Sequence, residues 1–251
     1  MIFTDIVPQT WRDLQNRVAE LLSEAGYSTI TPHTIETVRG TVEIDVYVES
    51  PDELIKQIIC ECKFWNTAVP KEKVHAFRTV VNDSGAEVGL LISKIGFQSG
   101  AKEAAKYSNI KLITWDEFTE MIKRKWVYTQ LKKVKELSAP LSIYTDPLDF
   151  PFEDLKDEDK GDYVELCKQY IPLRHTCWMI TQQDLLDNVP GDKWYGINQA
   201  TSIENYLNYL TSEINTSLIE FQKLFKRSNI LIPENKFENS DTYLYMFLEH
   251  P

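Results

Sequence analysis

A carboxylate and an ammonium group stand two residues apart in the run QIICECK at residues 57–63, which has the composition of a β-strand. Successive side chains of a strand point to opposite faces, so Glu61 and Lys63 share one face while Cys60 and Cys62 share the other. A charged side chain is costly to bury unless it has a partner. Two explanations follow: an ion pair on a half-exposed strand, or part of a site for metal-dependent phosphodiester chemistry.

A second carboxylate, Asp45, lies on the preceding predicted strand, where residues 42–49 alternate between apolar and polar side chains. Antiparallel pairing of the two strands would bring Asp45, Glu61 and Lys63 to one face of the sheet. Two carboxylates make a hard-oxygen site that suits Mg²⁺ or Mn²⁺, and the backbone carbonyl of Cys62 could add a further ligand. The metal would polarise a phosphate, while Lys63 would orient or deprotonate the attacking water.

The segments around these two strands alternate between helical and strand patterns. Apolar periodicity and turn residues predict helices at 10–25, 70–82 and 96–108 and further strands at 27–33, 88–93 and 110–115. This order predicts an α/β fold, a mixed sheet flanked by helices on both sides. Beyond about residue 116 the patterns are helical, at 117–137 and 201–227. We therefore expect one domain at 1–120 and a mainly α-helical C-terminal region at 121–251.

The composition is that of a soluble globular protein, with 43% hydrophobic and 26% charged residues and a net charge of −11. The acidity is uneven, because residues 1–125 carry 15 Lys and Arg against 18 Asp and Glu, while residues 126–251 carry 12 against 20. A negative chain argues against indiscriminate nucleic-acid binding. No membrane-length apolar run or secretory leader is indicated, and the four cysteines fit a reducing compartment, so we expect a cytoplasmic protein without a membrane partner.

Several of these segments together resemble the PD-(D/E)xK nuclease superfamily and, within it, the Mrr-like restriction endonucleases. The resemblance spans about residues 10–118 and is carried by ordered motifs: VAELL at 18–22 with GY at 26–27, RG at 39–40 with EIDV at 43–46, ECK at 61–63, and GFQ at 96–98 with GA at 100–101. It implies a restriction-endonuclease-like core that hydrolyses DNA with Mg²⁺ or Mn²⁺, and defence against foreign DNA as a setting. It also implies that Asp45 and Glu61 are metal ligands and that Lys63 is the catalytic lysine.

One position departs from the family pattern. The family often places a glutamate in the first helix, three residues before the position of Val18, where it joins the metal shell; this chain has Gln15 there. A glutamine can ligate through its carbonyl oxygen but brings no charge, so we expect weaker metal affinity or one metal ion instead of two. Glu20 lies roughly opposite the apolar stripe and is the poorer substitute.

Three residues outside the motif are candidates for nucleic-acid contact. Gln98 begins a predicted helix and either faces the cleft or caps that helix. His75 and Arg78 lie outside the apolar face of the 70–82 helix and either touch phosphate or are ordinary exposed residues. The basic and aromatic stretch at 123–135 could follow a DNA backbone or form a solvated helix face.

The sequence leaves more than one function open. The first expectation is a metal-dependent DNA endonuclease. Since cutting both strands normally needs two active sites, a homodimer is expected. The 201–227 helix is either its interface or, equally, part of the monomer's own core. Resolution of branched DNA is an alternative within the same enzyme class. The competing class is a non-cleaving DNA-binding or regulatory protein on a degenerate nuclease fold. The acidic segment at 146–165 either covers the basic stretch until a regulatory partner displaces it or is simply solvated.

Overall fold

The computed structural model describes residues 2–51, 54–148, 150–187 and 194–231, and the remaining parts of the predicted domains at 1–120 and 121–251 lie outside the described residues. The chain divides into two compact units. The first, here called the nuclease-like unit, comprises residues 6–129, and the second, the helical unit, comprises residues 1–5 and 130–251. The placement of an independent domain boundary at residue 120 stays a prediction.

The nuclease-like unit is built on a mixed five-stranded sheet with the order β1-β4-β5-β6-β7. Pairing is antiparallel from β1 through β4 to β5 and parallel from β5 through β6 to β7, which confirms the predicted mixed sheet. The strands of this sheet are β1 (Ser28–Ile30), β4 (Val46–Glu49), β5 (Gln57–Lys63), β6 (Val88–Ser93) and β7 (Ile110–Thr114).

A separate two-stranded hairpin, β2 (His33–Thr37) and β3 (Gly40–Ile44), interrupts the predicted strands. The sequence predicts one continuous strand at 42–49, but the chain changes sheets at Asp45: β3 pairs with β2, whereas β4 pairs with β1 and β5. Strict alternation continues across this point because each segment has one buried face of its own. The predicted strand at 27–33 is likewise divided between β1 and β2.

Three helices flank the sheet: α1 (Trp11–Glu24), α2 (Lys71–Ser84) and α3 (Ser99–Ala105). The next helix, α4 (Trp115–Ser138), follows β7, and its residues 115–129 belong to the nuclease-like unit. Helix α1 begins at a capping box, because Thr10 Oγ1 accepts from the Asp13 N–H (3.1 Å) and Asp13 Oδ2 accepts from the Thr10 N–H (2.9 Å). It contacts β1, β4 and β5. On α2, Phe77 and Val81 are buried in one cluster with Ile59 of β5 and Leu91 of β6. These contacts hold β5, the strand of the candidate site, between helices.

The helical unit confirms the predicted helical character of the C-terminal region. Its helices are α5 (Pro140–Tyr144), α6 (Asp157–Met179), α7 (Gln182–Leu186) and α8 (Ile203–Ser228). Phe221 and Phe225 of α8 pack on Tyr144, and Phe225 stacks on Phe150, whose ring is 4.5 Å from that of Tyr163. Across the described part of the chain, every helix is too short or too polar to span a bilayer.

Candidate active site

The change of sheet at Asp45 creates the candidate site. Val46 and Cys60 form the last residue pair between β4 and β5, and Ile44 is paired with His33 of the hairpin instead of with β5. The backbone groups of Cys62 on that side therefore have no strand partner. Asp45 supplies one, because its Oδ2 accepts a hydrogen bond from the Cys62 N–H at 2.6 Å. The Asp45 carboxylate is thereby fixed against β5, beside the Glu61-Cys62-Lys63 motif.

A tryptophan completes the hydrogen bonding of this strand end. Trp11, the first residue of α1, donates its indole N–H to the Cys62 carbonyl oxygen at 3.1 Å, although 44% of its surface is exposed. Its apolar neighbours in α1 suggest only a core residue, so sequence reasoning missed this role. The signal that could have found it is an indole at the beginning of the helix that the family resemblance places beside the site.

The backbone of Asp45 is held from two further directions. Gln15, a buried residue of α1, donates its side-chain N–H to the Asp45 carbonyl oxygen at 2.8 Å, and the Thr31 hydroxyl donates to the same oxygen at 2.8 Å. The structure thus brings Gln15 to Asp45, but as a donor to its backbone. With the amide nitrogen oriented toward this carbonyl, the amide oxygen, which is the only atom of the Gln15 side chain able to ligate a cation, remains without a partner among the described residues.

Glu61 and Lys63 lie side by side on one face of β5. The Lys63 ammonium contacts Glu61 Oε1, and the two side chains retain 18% and 24% of their surface, respectively. The predicted ion pair is therefore present, but on a strand whose residues are all buried or partly buried. Cys60 and Cys62 are fully buried, and burial raises the pKa of both thiols well above its usual range, so they are not reactive groups.

Electrostatics distinguish Asp45 from an ordinary surface carboxylate. Burial, followed by the nearby charge of Glu61, raises its pKa from 3.8 to about 6, although the Cys62 N–H, Lys63 and Trp11 act in the opposite direction. Ionisation of Asp45 is therefore costly mainly because the carboxyl is desolvated, and repulsion from Glu61 adds to this cost. A divalent cation would remove this penalty, since it stabilises the ionised form of both carboxylates.

The donor set fits a hard divalent cation held by few protein ligands. Asp45 Oδ1 and the Glu61 carboxylate are the anionic donors, while one lone pair of the Cys62 carbonyl already accepts from Trp11. Within the described ranges, no group of three or more His, Cys, Asp or Glu side chains is arranged to hold a metal ion. A cation bound by two carboxylates would complete its shell with water, as Mg²⁺ commonly does.

The described interactions of the three predicted nucleic-acid contacts are with residues other than Asp45, Glu61 and Lys63. Gln98 is exposed at the N-cap position of α3 and makes no side-chain capping bond. On α2, the Arg78 guanidinium lies 3.2 Å from His75 Nδ1 and 3.4 Å from the Ala104 carbonyl oxygen. Arg78 thus links α2 to α3. Contact of these three residues with DNA stays a prediction.

Comparison with known proteins places the nuclease-like unit in a family. Residues 8–122 match a protein-family model described as a restriction endonuclease, of the Mrr catalytic type. A comparison with curated proteins found no match. Among solved structures, one described as "Protein of Unknown Function AF1548" is 25% identical, with a TM-score of 0.40 over 45% of this chain. The matched region spans 65% of that protein, less than two thirds of its length. Residues 8–122 are a restriction endonuclease domain of the Mrr-like family, in the PD-(D/E)xK nuclease superfamily.

Proposed function

We propose that the nuclease-like unit hydrolyses phosphodiester bonds of DNA with a divalent metal ion, Mg²⁺ or Mn²⁺. In this proposal Asp45 and Glu61 bind the metal and Lys63 is the catalytic lysine. The observation that carries it is the fixed position of the Asp45 carboxylate against β5, at the point where β3 and β4 separate, inside a restriction endonuclease domain. An ion pair between Glu61 and Lys63 on a surface strand would not require the Asp45 carboxylate to be fixed against that strand.

The side chains of the site have separate tasks in the proposed reaction. The metal ion, when bound, polarises the phosphate and acidifies the attacking water. As an ammonium, Lys63 orients that water and stabilises the negative charge that develops on the phosphate. Acceptance of the water's proton would instead require Lys63 to be a neutral amine at that step. Glu61 holds the Lys63 ammonium near the reacting atoms through their ion pair. Its Oε2 is the oxygen that this contact leaves for the cation.

Positioning of the site depends on α1. Gln15 and Trp11 both reach from this helix to the site, the first to the Asp45 carbonyl and the second to the Cys62 carbonyl. Because both hydrogen bonds end on backbone oxygens, they fix the strand ends without using the metal-binding oxygens of Asp45 and Glu61. We therefore assign Gln15 and Trp11 as positioning residues.

Cleavage of supercoiled plasmid tests this proposal. The purified chain is incubated with plasmid in Mg²⁺, in Mn²⁺ and in EDTA, beside Asp45→Asn and Lys63→Ala. A matched control is Glu103→Gln, which removes a carboxylate with 67% of its surface exposed on α3. We expect nicking or linearisation with either metal by the wild type and the control, at least 100-fold less with the two site variants, and none in EDTA. Equal cleavage by all four proteins would show that another nuclease is present or that the site is elsewhere.

Gln15 favours one second candidate, a non-cleaving DNA-binding or regulatory protein. With Gln15 in place of the family's glutamate, the site has two carboxylates, and fewer anionic ligands weaken metal affinity. Binding of labelled DNA by the wild type, with no cleavage in either metal across linear, supercoiled and branched substrates, would favour this candidate. Cleavage of only the branched substrate would instead favour junction resolution.

The biological setting and assembly extend the same proposal. Defence against foreign DNA is the setting that the family resemblance implies. A homodimer would supply two active sites for a double-strand break, and the helical unit would provide the surface for a second copy or a regulatory partner. Measuring the molar mass in solution, and the ratio of nicked to linear plasmid with time, tests the dimer. Accumulation of nicked circles from a monomeric protein would contradict it.

A further inference from the structure

Two lysines lie over consecutive aromatic side chains just beyond the catalytic motif. The Lys94 ammonium is 4.4 Å from the centroid of the Phe64 ring, and the Lys73 ammonium is 6.0 Å from that of Trp65. Trp65 also has the Lys63 ammonium 5.7 Å from its centroid. We call Phe64, Trp65, Lys73 and Lys94 the lysine–aromatic rim. It extends from the proposed catalytic lysine to the beginning of α2 and the end of β6.

The positive charge of the rim is not neutralised by carboxylates. Lys94 donates to the Asn66 side-chain oxygen at 2.9 Å, a neutral partner, and an aromatic ring likewise attracts a cation without cancelling its net charge. Within the described residues, neither Lys73 nor Lys94 has a carboxylate within ion-pair distance. Five lysines elsewhere in the described residues do have such partners: Lys106, Lys123, Lys132, Lys160 and Lys168. Others in the same part of the chain, such as Lys71 and Lys125, have none, so what distinguishes the rim lysines is their place beside the motif. The rim therefore keeps free positive charge in a chain with a net charge of −11.

Backbone hydrogen bonds connect the rim to the motif. The Lys94 N–H donates to the Lys63 carbonyl oxygen at 3.0 Å. The loops after β5 and β6 are joined by two more such bonds, from the Val69 N–H to the Gly96 carbonyl at 2.9 Å and from the Gln98 N–H to the Val69 carbonyl at 3.1 Å. Lys73 lies in the first turn of the 14-residue helix α2, where the helix dipole adds positive potential. The backbone segments that carry Lys73 and Lys94 are thus fixed relative to the strand end at Lys63.

We propose that Lys73 and Lys94 bind the DNA phosphates next to the one that is hydrolysed, with Trp65 and Phe64 holding their ammonium groups in place. This inference rests on the proposed function, because it takes DNA as the substrate of the adjacent site. It makes the substrate a continuous polynucleotide, engaged through backbone charge and without base-specific contacts from the rim. A lone phosphomonoester or mononucleotide would gain nothing from these lysines.

The salt dependence of DNA affinity tests the rim independently of cleavage. Binding of a fluorescein-labelled 20-base-pair duplex is measured by anisotropy in EDTA, in the Asp45→Asn background, at several NaCl concentrations. Each lysine–phosphate contact contributes a slope of about −0.9 to the plot of log affinity against log salt. Removing both lysines with Lys73→Ala and Lys94→Ala is expected to reduce the slope by about 1.8. For equal affinities extrapolated to 1 M salt, the double variant should bind about 60-fold more weakly than the parent at 0.1 M salt.

Two further variants serve as controls. Lys125 is exposed over the Tyr27 ring, 3.8 Å from its centroid, and so repeats the lysine–aromatic contact away from the site. Tyr27 follows the far end of α1, a helix about 21 Å long, whose first residue Trp11 contacts the motif. Lys125→Ala should leave the slope unchanged. Replacing both rim lysines by arginine should restore it, because charge is kept.

The possible outcomes distinguish failure of the rim from failure of the proposed function. An equal salt-dependence slope in the double alanine variant and the parent would overturn the proposed role of the rim. A slope reduced only by Lys125→Ala would also overturn it and would assign the phosphate contacts to the 123–135 stretch. No binding at low salt would also overturn it. If the wild type cuts plasmid while the rim variants bind normally, the proposed function stands and the rim fails. If the slope depends on the rim but no condition gives cleavage, the rim stands and the nuclease proposal fails.

Discussion

Replacing Asp45 by asparagine should stabilise the metal-free protein while it removes the proposed activity. The Asp45 carboxylate is desolvated and is repelled by the charge of Glu61, so its ionised form costs free energy in the folded state. Asparagine has nearly the same shape and keeps an oxygen to accept the Cys62 N–H bond. The substitution therefore removes the charge and retains the hydrogen bond. An ordinary structural aspartate would show the opposite effect on stability.

The size of the effect follows from the pKa. The difference between the ordinary value of 3.8 and the folded-state value of about 6 corresponds to about 3 kcal/mol. Because Asp45 is only partly buried, solvent screening reduces this to about 1–2 kcal/mol. Between pH 3.8 and 6 the folded state binds more protons than the unfolded state, so the wild type loses stability as the pH rises through this window. The advantage of asparagine should be complete above pH 7 and approach zero near pH 4.

Urea denaturation in EDTA at pH 4.5, 6 and 8, followed by tryptophan fluorescence, measures this difference. Glu43→Gln is the matched control, because it removes an exposed carboxylate of β3 two residues away. Its effect should stay within about 0.5 kcal/mol at every pH. A variant at Asp45 that is less stable than the wild type at pH 8, or equally stable at all three pH values, would refute the electrostatic description of the site.

Three other predictions concern the same site. The cleavage rate of the wild type at subsaturating Mn²⁺ should fall about tenfold per pH unit below pH 6, because protons compete with Mn²⁺ for Asp45. Saturating Mn²⁺ should shift this fall to lower pH. A flat rate profile from pH 5 to 7 would count against this prediction. Gln15→Glu should lower the free energy of unfolding of the metal-free protein by about 1–3 kcal/mol in urea denaturation, because the donor to the Asp45 carbonyl is lost. The same variant should bind Mn²⁺ about tenfold more tightly in calorimetry. Unchanged metal affinity would exclude position 15 from the metal shell. Trp11→Phe keeps an aromatic ring but loses the N–H bond to the Cys62 carbonyl, so the free energy of unfolding should drop by about 1 kcal/mol and cleavage should slow. Trp11→Tyr should be no better, since its hydroxyl group lies elsewhere. Full activity in Trp11→Phe would contradict the positioning role of Trp11.

The local pattern was enough to predict most of the elements but not the point where the chain changes sheets. Helix α1 lies within one residue of its predicted bounds, because Thr10 caps it and its apolar stripe is regular. By contrast, the same kind of pattern predicts a single strand at 42–49. Alternation records which side chains are buried, whereas the partner strand is set by contacts distant in sequence. The break at Asp45 depends on such contacts, with His33 on one side and Cys60 on the other.

The candidate site shows the same limit. Residue types predicted that Asp45, Glu61 and Lys63 would meet, since the two strands could pair in only a few registers. They could not reveal that Trp11 donates to a carbonyl 51 positions away, or that Gln15 donates to the backbone of Asp45. Such hydrogen bonds depend on how a helix is placed on the sheet. The same holds for Arg78, whose reach to the Ala104 carbonyl depends on the packing of α2 beside α3.

The dependence of plasmid cleavage on Mn²⁺ concentration, in the wild type and in Glu61→Gln, tests the central claim most directly. If Asp45 and Glu61 bind the metal that drives hydrolysis, the wild-type rate should saturate with Mn²⁺, and the variant should need at least tenfold more metal for half of a lower maximal rate. Identical Mn²⁺ dependence in the two proteins, or cleavage by the wild type that persists in EDTA, would contradict the claim.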